Sequence, residues 1–167
     1  MNIFALDQDF EKAAKYHCDK HVVKMILETA QMVSTVFSTY GEHRICMLKP
    51  CFNRHPCTLW AHKSYENLSW LINLGICLIK EYERRYSKKH TYTNLFVELY
   101  FLKEILIGKF PESGFLPFAV AMPDYIKDKL PENYSSKDAV NAYREYYLKE
   151  KSHFAVWKNT STPRWFR

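Results

Sequence analysis

Glycine is scarce in this chain, with four in 167 residues. That scarcity argues against a turn-rich β architecture and against a glycine-rich phosphate loop. Long apolar runs are missing too: the longest, residues 68–79, is interrupted by Ser69, Asn73 and Gly75 and is too short to cross a bilayer. The opening MNIFALDQDFEK has no basic stretch followed by an apolar one, so no signal peptide is expected. The five cysteines, at 18, 46, 51, 57 and 77, are an odd number without disulfide-framework spacing. They suit a reducing compartment, and a soluble cytoplasmic protein with no membrane association is expected. Ser-His-Asp and Cys-His catalytic spacings are absent, as is a dinucleotide-binding fingerprint.

What is present is one domain's worth of chain, residues 1–167, long enough to bury roughly two-thirds of its unfolded surface. The net charge of +6 favours an anionic partner, nucleic acid first. Aromatic residues make up 16% of the chain and supply both core and stacking surfaces. Periodicity and breakers give an all-α, compact bundle of four to five helices with a short extended amino terminus. The expected helices lie near residues 10–39 (with a kink possible after His17), 58–86, 92–109, capped by Thr93, and 136–158, starting at Ser135-Ser136-Lys137-Asp138. Residues 40–57 read as a loop, and residues 110–133, with four prolines, as an ordered irregular segment.

The stretch HCDKHVVKMILETAQMVSTVF, residues 17–37, carries the most chemistry. At ~100° per residue Val22, Val23, Ile26, Ala30, Val33 and Phe37 share one arc. His17, Lys20, His21, Lys24, Glu28 and Gln31 recur on the other at spacings of three and four. This face is either an ordinary wet side or one wall of an active site. A carboxylate at Glu28 flanked by Lys24 and His21 can act as a base or stabilise a cation. A second cluster, Asn53-Arg54-His55-Pro56-Cys57 with Trp60 one turn on, puts a guanidinium beside a helix start, which suits phosphate. His17, Cys18 and His21, with Cys51, His55 and Cys57, are zinc-ligand residue types, but their spacing matches no finger or ribbon, and neither metal nor cofactor is assigned. In the carboxyl-terminal region Tyr143, Arg144, Tyr146, Tyr147, Trp157, Lys158, Arg164, Trp165 and Arg167 interleave aromatic and basic side chains, suited to stacking bases and pairing phosphates or to docking the last helix.

The run MNIF-L-D, then CDKHVVKMILETAQM, NRHPCTLW and the close YREYY…FAVWKN…PRWF resemble a family of short proteins found in phages and large DNA viruses, without an assigned reaction. That likeness implies an infected host cell as the setting. The order of features is also similar to the pyrimidine-dimer DNA glycosylases, small basic all-α repair enzymes. Glu28 in LETAQ matches their catalytic glutamate, His55-Pro56 their histidine loop, KEYERRY the end of their long helix, and Pro163-Arg164-Trp165 their aromatic terminus.

This second resemblance implies base excision on duplex DNA, with an amino-terminal amine attacking the sugar C1′ to form an imine while the glutamate assists elimination and a base is flipped out. Two features depart from that pattern. Residue 2 is Asn, behind which Met is usually retained, so the amine would be that of Met1. The arginines that flank the glutamate are missing, with Lys24 the nearest cation.

The implied enzyme is a DNA glycosylase with AP-lyase activity on damaged or modified pyrimidines, acting as a monomer. Its catalytic residues would be Met1, Glu28 and Lys24, with Lys24 the fallback nucleophile if buried. Substrate would be held by Lys20, His21, Asn53, Arg54, His55, Trp60, Trp165 and Arg167. Two alternatives stand beside it: an enzyme that binds or modifies a nucleotide in a deep closed pocket, and a non-catalytic viral nucleic-acid-binding protein.

Overall fold

The computed structural model describes residues 1–43 and 48–167, so residues 44–47 of the expected 40–57 loop lie outside the described residues. The side chain of Asp9 accepts from the Lys12 N–H at 2.9 Å and starts α1 (Phe10–Tyr16). The helix stops because His17 turns its ring back: Nδ1 donates to the Ala13 carbonyl at 2.7 Å, occupying the acceptor that the next turn would use. Cys18 is extended, and α2 (Asp19–Thr39) begins after it. Arg85, 3% exposed, locks this break by donating to the carbonyls of Lys15 and His17 (both 2.9 Å) and to the Asp19 carboxylate (3.0 Å). A buried guanidinium with this many partners is well compensated.

The expected 58–86 helix is two helices. The first is α3 (Pro56–Ala61). Ser64 then adopts extended backbone, its side chain accepts from the Asn67 N–H (3.1 Å), and α4 (Tyr65–Tyr86) starts in a new direction. Next comes α5 (Thr93–Leu102), with Tyr92 rather than Thr93 at its cap; the Thr93 hydroxyl instead donates to the His90 carbonyl at 2.7 Å. A 3-10 turn (Lys103–Leu106) extends it. Within the irregular segment lies the short α6 (Asp124–Lys127). The capping box of Ser135 and Asp138 opens α7 (Ser136–Glu150), which ends eight residues before the expected stop at 158. Another 3-10 turn, Arg164–Phe166, lies near the carboxyl end.

The described chain is all-α, 56% helix without strands, and its helix count is seven rather than four or five because two expected helices are broken and α6 was not expected. Helix α4 is central. Trp70 and Arg85 on one of its faces reach Gln8 and the α1–α2 break, while Gly75 on the other meets the Phe96 ring of α5. On α2, Val22, Ile26, Ala30, Val33 and Phe37 are fully buried; Val23 sits at the edge of that arc beside Leu27 and is 45% exposed. Residues 115–121 have no regular secondary structure; Phe118 enters this core, and side chains hold the backbone of the segment. Trp60 donates to the Leu116 carbonyl (3.2 Å) and Tyr134 to that of Phe118 (3.1 Å). The Tyr143 hydroxyl donates to the Ala119 carbonyl (2.8 Å) and accepts the Ala121 N–H (3.2 Å).

Candidate active site at the amino terminus

The apolar start of the chain is threaded into the molecule, with Ile3, Ala5 and Leu6 fully buried. Asn2 holds it there. Its Oδ1 accepts the N–H groups of Ile3 and Phe4 (2.8 and 3.1 Å), its Nδ2 donates to the Ala121 carbonyl (2.6 Å), and its own N–H donates to Glu28 Oε2 (2.9 Å). Phe4 is thereby kept at φ +39°, a conformation that bulky L residues avoid. Its ring stacks on His21 with centroids 4.4 Å apart.

The result places the Met1 amine 3.6 Å from Glu28 Oε2. The Met1 side chain is 1% exposed although the residue as a whole is only partly buried, so the surface it shows to solvent is its main-chain end. Glu28 is nearly buried, and its Oε1 pairs with Lys24 Nζ at 3.3 Å. Lys24 itself is 69% exposed and lies at the rim of the cleft rather than within it. A polar cleft of about 180 Å³ opens over these groups, lined by Met1, Asn2, Lys24 and Glu28 and, from α7 and just beyond it, by Tyr146 and Lys151.

Two histidines flank the terminus. Burial, then the neighbouring charges of His17, Lys151, Lys24 and Lys20, push His21 down to about 3, so its ring is neutral. Its Nδ1 is hydrogen-bonded to the Tyr147 hydroxyl. His55 is lowered by partial burial and by the positive amine, opposed by Glu28 and by the Met1 main chain beside it. His55 is thus near the amine and Glu28, but it does not line the cleft. His55 Nδ1 also accepts the Cys57 N–H at the start of α3 (3.2 Å). Burial pushes the Cys57 thiol up to about 12 and raises Cys18, so neither supplies a thiolate.

The other sequence candidates are placed as follows. His17 is not on the polar face of α2 but fully buried at the end of α1, lowered to about 4 by burial. Lys20 is exposed, its Nζ 4.7 Å from the centroid of the Phe154 ring. Asn53 and Arg54 are exposed on the loop before α3 and do not line the cleft. Trp60 is 3% exposed, packed against Trp70 and Phe118 with its indole N–H used by Leu116, which leaves no face free for a base. Trp165 is half-buried between Tyr16 and Tyr147, and Arg167 is exposed. Among the described residues no three His, Cys, Asp or Glu side chains converge as a metal would require.

Sequence reasoning missed Asn2 as the clamp and Lys151 as a wall of the cleft, and it placed Tyr143, Tyr146 and Tyr147 in a carboxyl-terminal aromatic cluster without joining them to Glu28. For Asn2 a signal existed, since it is the polar residue in an otherwise apolar run. Tyr146 and Tyr147 meet Phe4 and His21 more than a hundred positions away in sequence, which local spacing does not encode.

The family model of pyrimidine dimer DNA glycosylases matches residues 1–94, which contain Met1, Glu28 and His55. The chain belongs to that family. In this pyrimidine dimer DNA glycosylase family member the match runs from the terminus through α4 into α5, so the family's span supplies the amine and the carboxylate while Tyr146 and Lys151 close the cleft from outside it. The family implies DNA repair on a duplex DNA substrate. No helix among the described residues is long and apolar enough to cross a membrane. No curated protein matches the chain, and no solved structure does.

Proposed function

We propose that this protein is a glycosylase with associated AP-lyase activity, acting on damaged or modified pyrimidines in duplex DNA through the α-amine of Met1. The observation that carries the reading is the amine–carboxylate pair, 3.6 Å apart at the base of an open polar cleft. In the chemistry that follows, the Met1 nitrogen bonds to the sugar C1′ as the C1′–N bond to the base breaks, and Glu28 takes the proton that the amine releases. Opening of the sugar ring gives an imine to C1′. Glu28, having passed its proton to the opened ring oxygen, takes a C2′ proton, and the 3′ phosphate leaves with the electron pair of the C3′–O bond, which is the lyase step. Lys24 and Lys151, at the rim of the cleft, are suited to the flanking phosphates, and the exposed Lys20, Arg54 and Arg167 to the duplex beyond. Lys24 serves as a cation rather than as nucleophile because it is exposed.

The buried Met1 side chain supports a retained methionine, since its removal would empty a packed site. A cleft of about 180 Å³ is small for a nucleotide-modifying enzyme, whose pockets run to roughly 300 Å³ and above. The test is borohydride trapping on ultraviolet-irradiated duplex DNA, with mass spectrometry of the adduct. A covalent adduct on the Met1 nitrogen is expected. Glu28→Gln should reduce trapping by about 10²-fold or more while leaving binding to the duplex intact. An adduct on Lys24, or an active Glu28→Gln variant, would overturn the assignment.

A further inference from the structure

The turn before α3 exposes an aromatic ring on a strained backbone. Phe52 has φ +56°, in the left-handed region that bulky L residues avoid, and is 59% exposed. Among the described residues three others besides glycine share that sign of φ: Ser87 and Asn159 are small or polar, and Phe4 is buried. Strain of this kind collects at active sites and ligand clamps. The turn itself is firmly held. The Cys51 N–H donates to Thr35 Oγ1 of α2 at 3.1 Å, and the Cys51 carbonyl lies 3.0 Å from the same hydroxyl. On the other side the His55 N–H donates to the Phe52 carbonyl at 2.9 Å, closing a turn that keeps the two α-carbons within about 7 Å. Pro50 and Pro56 bracket it with fixed φ. Both anchors belong to the neighbourhood of the cleft. Thr35 follows Glu28 by two turns of α2, about 10 Å along its axis, and His55 lies near the Met1 amine. Lys49, Asn53 and Arg54 are exposed around the ring's position in the chain, and residues 48–55 contain no carboxylate.

We propose that Phe52 is a wedge, entering the base stack of duplex DNA at the position vacated when the damaged nucleotide turns out toward Met1. The inference rests on the glycosylase reading and adds to it a residue that distorts the duplex. The α-amine reaches C1′ only once the nucleotide has left the stack, and the gap left behind is walled by bases and edged by phosphates. An aromatic ring fits between the bases, and Lys49 and Arg54 suit the phosphates. A single exposed ring set between cations matches that surface better than it matches an apolar partner face. Because the turn is fixed by Thr35, His55 and two prolines, the ring meets the duplex without first being ordered.

Borohydride trapping of the full chain on two duplexes of one sequence tests this. One is irradiated with ultraviolet light; the other carries an abasic site, where no base has to be displaced before the amine condenses with C1′. Phe52→Ala should lower the ratio of damaged-duplex to abasic-duplex trapping rates by roughly tenfold or more, and Phe52→Trp should restore most of it. Phe52→Gly, whose backbone adopts positive φ freely, should show the same lowered ratio with a thermal midpoint no lower than that of wild type, which a ring needed only for folding would not give. An unchanged ratio in Phe52→Ala, a ratio lowered equally in Phe52→Trp, or a Phe52→Gly protein that loses thermal stability along with trapping overturns the wedge and leaves the amine reading intact. A wild-type chain trapped by neither duplex overturns both.

Discussion

The side chain and amide of Asn2 engage Glu28, Ile3, Phe4 and Ala121 at 2.6 to 3.1 Å, and through Ala121 they connect the terminus to Tyr143 of α7. Replacing Asn2 by Ala removes the three side-chain bonds and leaves Phe4 unsupported in its left-handed conformation, at a cost of about 1–3 kcal/mol. The greater effect falls on function. In the proposed reaction the amine meets a sugar carbon within a few tenths of an ångström; without the clamp it loses its fixed position, and the trapping rate should fall roughly tenfold or more. Asn2→Asp keeps the acceptor for the Ile3 and Phe4 N–H groups but sets a buried carboxylate oxygen against the Ala121 carbonyl and near Glu28, so it should be no better than Asn2→Ala in thermal midpoint and in trapping rate. Equal rates for all three proteins would show that the clamp does not position the amine.

Several site residues were legible because their spacing follows the helix. His21, Lys24 and Glu28 recur at three and four residues along α2, and the structure sets all three on the cleft. His17 shares that register in the sequence but belongs to another helix, because its own side chain ends α1 by taking the Ala13 carbonyl. No proline or glycine marks that break, and the buried Arg85 that holds it is nearly seventy residues away. The break at Ser64 was readable in principle, since Ser is a strong N-cap residue; a continuous apolar set concealed it. Between elements, the α4–α5 contact can be tested through Gly75. A Cβ there would lie 2.0, 2.3 and 2.8 Å from three atoms of the Phe96 ring, which is 1% exposed and has no room to move. Alanine contributes about 1 kcal/mol of helix propensity, while overpacking costs about 1–3 kcal/mol, so the clash wins. Gly75→Ala should lower the thermal midpoint by several degrees, and pairing it with Phe96→Leu should recover part of the loss. A Gly75→Ala protein as stable as wild type would show that α5 moves off α4 freely.

At the scale of the whole molecule, acid should unfold this protein through its buried histidines. His17 is lowered to about 4 and His21 to about 3, both chiefly by burial, whereas in the unfolded chain a histidine titrates near ~6.5. The unfolded state therefore binds more protons throughout the window between, and stability rises with pH across it. The contribution is fully present above about pH 6.5 and is lost as pH falls toward 4, on the order of 3 kcal/mol per histidine by that point. His55, His62 and His90 are lowered in the same direction, again chiefly by burial, and add to the slope. Against a net stability of about 5–15 kcal/mol for a protein of this kind, two such losses are decisive. Thermal midpoints measured from pH 7.5 to 4.5 should fall steadily below about pH 6.5. Proton resonances of His17 and His21 should show neutral rings down to about pH 5 in the folded protein. The site would fail with the fold, since His21 stacks on Phe4 and bonds Tyr147, and a charged ring there would push away the segment that carries Met1. A midpoint independent of pH over this range, or a His21 ring that titrates near 6.5 while the protein stays folded, would mean that the terminus is held by contacts other than this buried stack.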